Sequence, residues 1–168
     1  MFREKNFADF RVNPFDEIGK RWMLVGAGTK DSFNMMTASW GGLGFMWNKP
    51  VAFVFVRPTR HTFGFVETGE MFTLSFFDEK YRKALQICGS KSGRDCDKVA
   101  ESGLTPVSTK LGNPAFEEAQ YVLECRKMYA QMLDEKSFID KSAVAKWYGD
   151  ASFHKMYVAE IVNILEKA

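Results

Sequence analysis

Two guanidinium groups, a histidine and two hydroxyls crowd into the six residues Arg57-Pro58-Thr59-Arg60-His61-Thr62, directly after the apolar run Val51 to Val56. A second apolar stretch, starting at Asn34, runs through Met35 and Met36 into the small residues Thr37, Ala38 and Ser39, followed by Trp40. Hydroxyls, exposed backbone N–H groups and forked guanidiniums in neighbouring loops are the groups that bind a phosphate monoester, which carries about −1.5 to −2 charges near neutral pH. Arg60 and Thr62 are the first candidates, because a guanidinium and a hydroxyl together reach several phosphate oxygens. Arg57 reads equally well as a surface arginine paired with an acid, and His61 as a solvated loop histidine. Thr37-Ala38-Ser39, taken alone, is also a tight polar turn with Trp40 in the core.

A further charged segment, Ser92-Gly93-Arg94-Asp95 with Lys98, adds a cation and a glycine that permits close backbone approach. Charged loops are commonly just solvated, and Lys91 has no case beyond that. Metal chemistry is not indicated. Cys88, Cys96 and Cys125 form an odd set without a Cys-x-x-Cys pair, and His61 and His154 are the only histidines, so neither a disulfide framework nor a metal site is expected.

The net charge of +2, without any long Lys/Arg run, gives no nucleic-acid footprint. No 18-residue apolar span and no basic, apolar leader appear in the sequence, so a cytoplasmic protein without membrane contact is expected. The 16 Phe, 4 Trp and 5 Tyr exceed what a core of this size needs, which points to a subunit interface, a planar ligand, or both.

Periodicity places the elements that must position these residues. Apolar runs predict strands over Arg21–Ala27, Phe33–Trp40, Val51–Val56, Met71–Phe77, Gln120–Met132 and His154–Leu165. Gly41 to Gly44 reads as flexible connection, and Pro58 ends the strand before it. Short helices are expected over Thr62–Glu67, over Glu79–Ile87 with Asp78 as cap, and over Lys141–Tyr148. Gly89 to Gly103 reads as a loop or lid leading into a short helix, and alternation around Val122, Glu124 and Arg126 predicts one wet face for part of its strand's length. Six or seven strands with three or four helices, not regularly alternating, favour a mainly antiparallel barrel with peripheral helices. Without internal repeat or linker, one domain spanning residues 1–168 is expected.

In order and spacing, NMMTASW, RPTRHT, FTLSFF and SKSGRDCDK resemble the flavin reductase family with the FMN-binding split-barrel fold, in particular its flavoredoxin-like members. The resemblance runs over nearly the whole chain. It implies a homodimer with FMN near the subunit interface and electron transfer through the flavin, with NADH or NADPH as donor and a flavin, protein or small molecule as acceptor. The alternative within the family is an FMN-holding electron carrier without NAD(P)H activity of its own. By position, the resemblance assigns Met36, Thr37, Ala38, Ser39 and Trp40 to the flavin, Arg57, Arg60, His61 and Thr62 to its phosphate, and Ser92, Gly93, Asp95 and Lys98 to its flank. Ser75, Phe76 and Phe77 end a strand facing this region, although such a phenylalanine pair is more often core. Phe153, His154 and Tyr157 resemble the cluster before the family's last strand. His154 is a candidate on the nicotinamide or substrate side, and no catalytic residue is otherwise assigned. Hydride transfer needs stacked rings rather than a protein nucleophile, so the lack of a triad is consistent with an enzyme.

Overall fold

In the computed structural model, which describes residues 2–168, the chain runs β1 (Phe2–Glu4), β2 (Met23–Gly28), β3 (Phe33–Ala38), β4 (Gly41–Met46), β5 (Lys49–Val56), α1 (His61–Thr68), β6 (Met71–Phe76), α2 (Arg82–Ser90), α3 (Lys98–Ser102), β7 (Pro106–Ser108), β8 (Pro114–Phe116), β9 (Tyr121–Met132), α4 (Lys141–Trp147) and β10 (Lys155–Lys167). The main sheet has the order β3-β2-β6-β9-β10-β5-β4, with β1 added on β10 and every pair antiparallel. Its two end strands, β3 and β4, are not paired with each other, so the sheet curls without closing. Strands β7 and β8 form a separate hairpin. No helix among the described residues is long and apolar enough to cross a membrane.

Alternation along the strands creates two cores. Met23, Val25 and Ala27 of β2, Phe72, Leu74 and Phe76 of β6, and Tyr121, Leu123 and Cys125 of β9 all point inward, where they meet Val54, Val56 and Tyr157. The intervening Leu24 and Val122 point outward into a second cluster with Met35, Leu85, Cys88 and Phe116. Side chains one apart therefore serve opposite faces, as the two-residue period demands. Because α2 and the β7–β8 hairpin cover the outer face, these strands are buried on both sides.

That cover shortens the wet face expected on β9. The face of β9 carrying Val122 and Glu124 is dry: Glu124 is 0% exposed. Its carboxylate accepts from Thr109 Oγ1 at 2.5 Å, Asn113 Nδ2 at 2.8 Å and Asn163 Nδ2 at 3.0 Å, so a buried acid is satisfied by neutral donors. The strand becomes wet only from Arg126 onward.

Other expectations also change. Gly41 to Gly44 is not connection but strand β4; a Cβ on Gly41 would lie 2.5 Å from the Phe53 carbonyl oxygen, so glycine lets β4 lie tight against β5. The turn between them places Trp47 and Asn48 at φ of 52° and 59°, the left-handed pair of a two-residue hairpin, without the usual Asn-Gly signature. Asp78 accepts no capping hydrogen bond; its carboxylate takes the Gln120 amide instead, and the segment opens with a 3-10 turn, Glu79–Tyr81, before α2. Strand β4 and the short β1, β7 and β8 bring the strand number to ten, above the six or seven expected, and a π-helical turn at Phe15–Arg21 precedes β2.

Replacing Glu124 by Ala leaves the side chains of Thr109, Asn113 and Asn163 without their shared acceptor. It is expected to lower stability by about 3 kcal/mol or more, read as a reduced urea midpoint at unchanged m-value.

Candidate functional site

Strand β3 has β2 on one side only, so its other edge is free to bind. Lys98 Nζ donates to the Met35 carbonyl at 2.9 Å, which shows that Met35 turns its backbone polar groups to this open edge. Strand alternation then turns the N–H and C=O of Thr37 the same way. The Thr37 hydroxyl is not available to a ligand through its proton, which goes to the Leu85 carbonyl of α2 at 2.6 Å. Thr37 and Ala38 complete the strand rather than forming a turn, and Ser39 and Trp40 carry the chain on to β4. Met36, Thr37, Ala38, Ser39 and Trp40 line a cavity of about 290 Å³ together with Phe55, Arg57, Arg60, Trp147 and His154.

A smaller cavity of about 170 Å³ adjoins it through Arg60 and is lined by Thr59, His61, Ser90, Lys91, Ser92 and Lys98. Arg60 and Lys98 are its distinctive members. Arg60 Nη1 and Nη2 donate to the Gly89 and Cys88 carbonyls at 2.7 and 3.2 Å, and Lys98 Nζ donates to the same Cys88 carbonyl at 2.9 Å. These carbonyls belong to the last turn of α2, the negative end of its dipole. Neither cation meets a carboxylate among the described residues. Lys98 is 4% exposed. Burial draws its ammonium below the ordinary lysine value, and the neighbouring Arg60 charge draws it further; burial likewise lowers Arg60. Buried charges are normally paired, so this pair has charge to spare for an anion. Each still has N–H donors uncommitted.

The turn before α1 supplies more donors. The Arg60 amide closes it by donating to Arg57 O at 3.0 Å, and the first turn of α1 has no side-chain cap, leaving N–H groups at the positive end of the helix. His61 lines the small cavity with its ring edge-on to Phe65 at 5.4 Å. Thr62 does not line it: 1% exposed, its hydroxyl accepts from Asn34 Nδ2 at 3.1 Å. Asn34 also explains Gly93, where a Cβ would fall 2.5 Å from Asn34 Oδ1. Around Gly93, Ser92 Oγ accepts from the Arg94 amide at 3.1 Å and Arg94 Nη1 donates to the Thr59 carbonyl at 3.2 Å, tying this loop to the Arg60 turn. Asp95 is exposed and lines neither cavity. Lys91 is paired with Glu101.

Aromatic rings wall the larger cavity. Trp40 meets Trp147 edge-on at 5.1 Å and His154 at 5.0 Å. His154 Nδ1 lies 2.9 Å from the Tyr148 hydroxyl, and burial, helped by the Arg57 charge, lowers its pKa to about 4. A neutral imidazole accepting from Tyr148 keeps its proton on Nε2. Arg57 turns away from the small cavity to Trp147 O at 2.6 Å and Asp150 at 3.2 Å. Phe76 and Phe77 are core, Ser75 is wholly buried beside them, and Tyr157 donates to Glu67 at 2.6 Å, so these four lie outside the site. Cys88 and Cys96 are free thiols. Sequence reasoning missed Asn34, Phe55 and Trp147; the first follows an apolar-run boundary that carries no chemical signal, and the others reach the cavity only through folding.

The sequence model of the flavin reductase like domain matches residues 15–168. Among solved structures, the chain is similar to an FMN-binding domain of a flavin reductases-like enzyme from Shewanella baltica OS155, with TM-score 0.70, 16% identity, and 99% of this chain and 78% of that chain covered. It is similar to an FMN-binding protein from Thermus thermophilus crystallised with 1-cyclohex-2-enone, with TM-score 0.68, 21% identity and coverages of 98% and 80%. A flavoredoxin from Methanosarcina acetivorans matches with TM-score 0.66, 21% identity and coverages of 93% and 74%. The comparison with curated proteins gives no significant match. At these identities the structural likeness is one of fold, and the mainly β split barrel implied by the sequence resemblance is the fold observed.

The lowered pKa of His154 makes a pH prediction. An unfolded histidine near 6.5 takes up a proton before the folded one near 4, so the stability gained from a neutral His154 is complete above about pH 6.5 and is lost as pH falls toward 4. The melting temperature of His154→Phe is expected to fall less than that of the unaltered protein between pH 7 and pH 4.

Proposed function

Since the chain belongs to the flavin reductase-like family, we propose that it is a single FMN-binding domain working as an oxidoreductase, taking electrons from NADH or NADPH and passing them to a flavin, a protein or a small acceptor. The observation that carries this reading is the Arg60–Lys98 pair, a half-buried and a buried cation whose hydrogen-bond partners are carbonyls, beside a cavity large enough for a phosphate. Arg60, His61, Ser92 and Lys98, with the uncapped start of α1, would hold the phosphate. Met36 to Trp40 would hold the ring, with the Thr37 N–H against its polar edge.

When bound, FMN supplies a ring that accepts a hydride and gives electrons back singly or in pairs. The protein's part is positional and electrostatic. A backbone donor at the polar edge stabilises negative charge there, and the Trp40, Trp147 and His154 wall keeps water from one side of the cavity. His154, held to Tyr148 through Nδ1 and kept neutral by burial, brings no second positive charge to that wall.

A homodimer accompanies this reading. Phe45 and Trp47 of the β4–β5 hairpin are 71% and 54% exposed, and Phe45 lines an apolar groove of about 1140 Å³ with Phe10, Leu43, Ile161 and Ile164. A patch of this kind supports a partner subunit, and sedimentation equilibrium is expected to give twice the chain mass.

Purified protein incubated with FMN and desalted is expected to retain a shifted flavin band near one per chain. Arg60→Ala is expected to weaken FMN by about tenfold to a hundredfold, the loss of one or two charge-assisted hydrogen bonds; unchanged retention would overturn the phosphate assignment. Anaerobic NADH or NADPH is expected to bleach the band rapidly. A retained band that neither donor bleaches would make the protein an electron carrier served by a partner protein.

A further inference from the structure

Between β9 and β10 the chain leaves the sheet for residues 133–154 and returns to its starting point, where the Leu133 amide donates to the His154 carbonyl at 2.9 Å. The excursion has a small core of its own. Phe138 packs on Tyr148 at 5.7 Å and on Phe153 at 6.0 Å, and Tyr148 stacks on Phe153 at 4.7 Å. Helix α4, which it carries, buries none of its residues. A segment that packs on itself more than on the sheet, with its ends joined, opens as a unit. Its inner end presents Trp147 to the cavity, edge-on to Trp40.

The contacts that hold it shut converge on one side chain. Arg57 Nη2 donates to the Trp147 carbonyl at 2.6 Å, its Nη1 to Asp150 Oδ2 at 3.2 Å, and its guanidinium lies 5.5 Å from the Tyr148 ring centre. The Trp147 carbonyl sits at the C-terminal end of α4, where a cation is favoured. Just beyond, Ala151 is held at φ 56°, a conformation that non-glycine residues avoid, so the turn bearing Asp150 is kept in place by its surroundings. Tyr148 adds the bond to His154 at the neck. Arg57 itself directly follows Val56, the last residue of β5, which pairs with Lys155 of β10, and its carbonyl accepts from the Arg60 amide at 3.0 Å.

We infer that residues 133–154 are a lid over the cavity and that Arg57 is its clasp, so that this side chain sets how fast FMN enters and leaves. The inference rests on the FMN reading above. Arg57 is a positioning residue: its donors go to the lid, and it acts on the ligand through Trp147. With the clasp closed, Trp147 walls the cavity; with it open, Trp147 withdraws and the ring site meets solvent. Whether FMN behaves as a retained group or an exchanging one then depends on lid opening as well as on affinity.

Two variants test this, Arg57→Gln and Asp150→Asn; Asp150 lines neither cavity. In hydrogen exchange on protein without added flavin, amides of 141–148 are expected to exchange about tenfold faster in Arg57→Gln, and less than that in Asp150→Asn, with β9 and β10 unchanged. Unchanged exchange over 141–148 overturns the clasp, whether or not FMN binds. In stopped-flow fluorescence with FMN, association and dissociation constants are expected to rise together by about threefold to tenfold, leaving Kd within about twofold. A rise in dissociation alone, with Kd weakened to match, would make Arg57 a phosphate ligand and overturn the lid. Failure of the unaltered protein to bind FMN would instead sink the functional reading while the exchange result still decides the clasp.

Discussion

Everything at the site hangs from the C-terminal carbonyls of α2. Arg60, from the turn after β5, and Lys98, from the start of α3, both reach the Cys88 carbonyl, and each takes a second carbonyl, Gly89 or Met35. Four elements distant in sequence are thereby joined at one point. Charge-assisted bonds of this type contribute about 1.5–3 kcal/mol each, yet burying an ion costs several kcal/mol. Carbonyl dipoles offset part of that cost, and the phosphate proposed for this site would offset more.

The open barrel makes this arrangement useful. An unpaired strand edge is normally a hazard that a protein covers or blunts. Here α2 and the 91–97 loop cover β3 on one face, Lys98 takes the Met35 carbonyl, and the backbone of Thr37 is left as a ready set of donor and acceptor at the cavity. The opposite end of the sheet is treated differently: β4 keeps its edge, and its hairpin tip carries exposed aromatic residues. In the proposed reading one edge would serve the flavin and the other a partner subunit, which would account for the surplus of aromatic residues.

Much of this was legible in the chain. Apolar runs located the main strands to within a few residues because a strand buried on one or both faces must be apolar locally, and Pro58 ended β5 as its ring requires. Arg60 and the 36–40 stretch could be singled out because their chemistry is local: a guanidinium in a tight turn and small residues at a strand end. The dry face of Glu124 was not legible, since the side chains that satisfy it come from Thr109, Asn113 and Asn163. Nor was the non-capping Asp78, whose carboxylate is drawn to Gln120, a residue far along the chain.

The sequence alone determined the residue types, the two-residue period and the positions of the turns, and with them a mainly antiparallel sheet and a basic turn fit for an anion. Only the tertiary structure decided which cation serves which group. Arg57 and Arg60 are three residues apart and alike in chemistry, but the backbone turn between them sends Arg57 to α4 and Arg60 to α2. Lys98 looks like one charged loop residue among many, and becomes a buried neighbour of Arg60 because α3 packs against α2 and the Lys98 side chain reaches the Met35 carbonyl of β3. Local sequence fixes what a side chain can bind; long-range packing fixes what comes within its reach, because hydrogen bonds and charge pairs act over a few ångströms between residues that the chain separates by dozens.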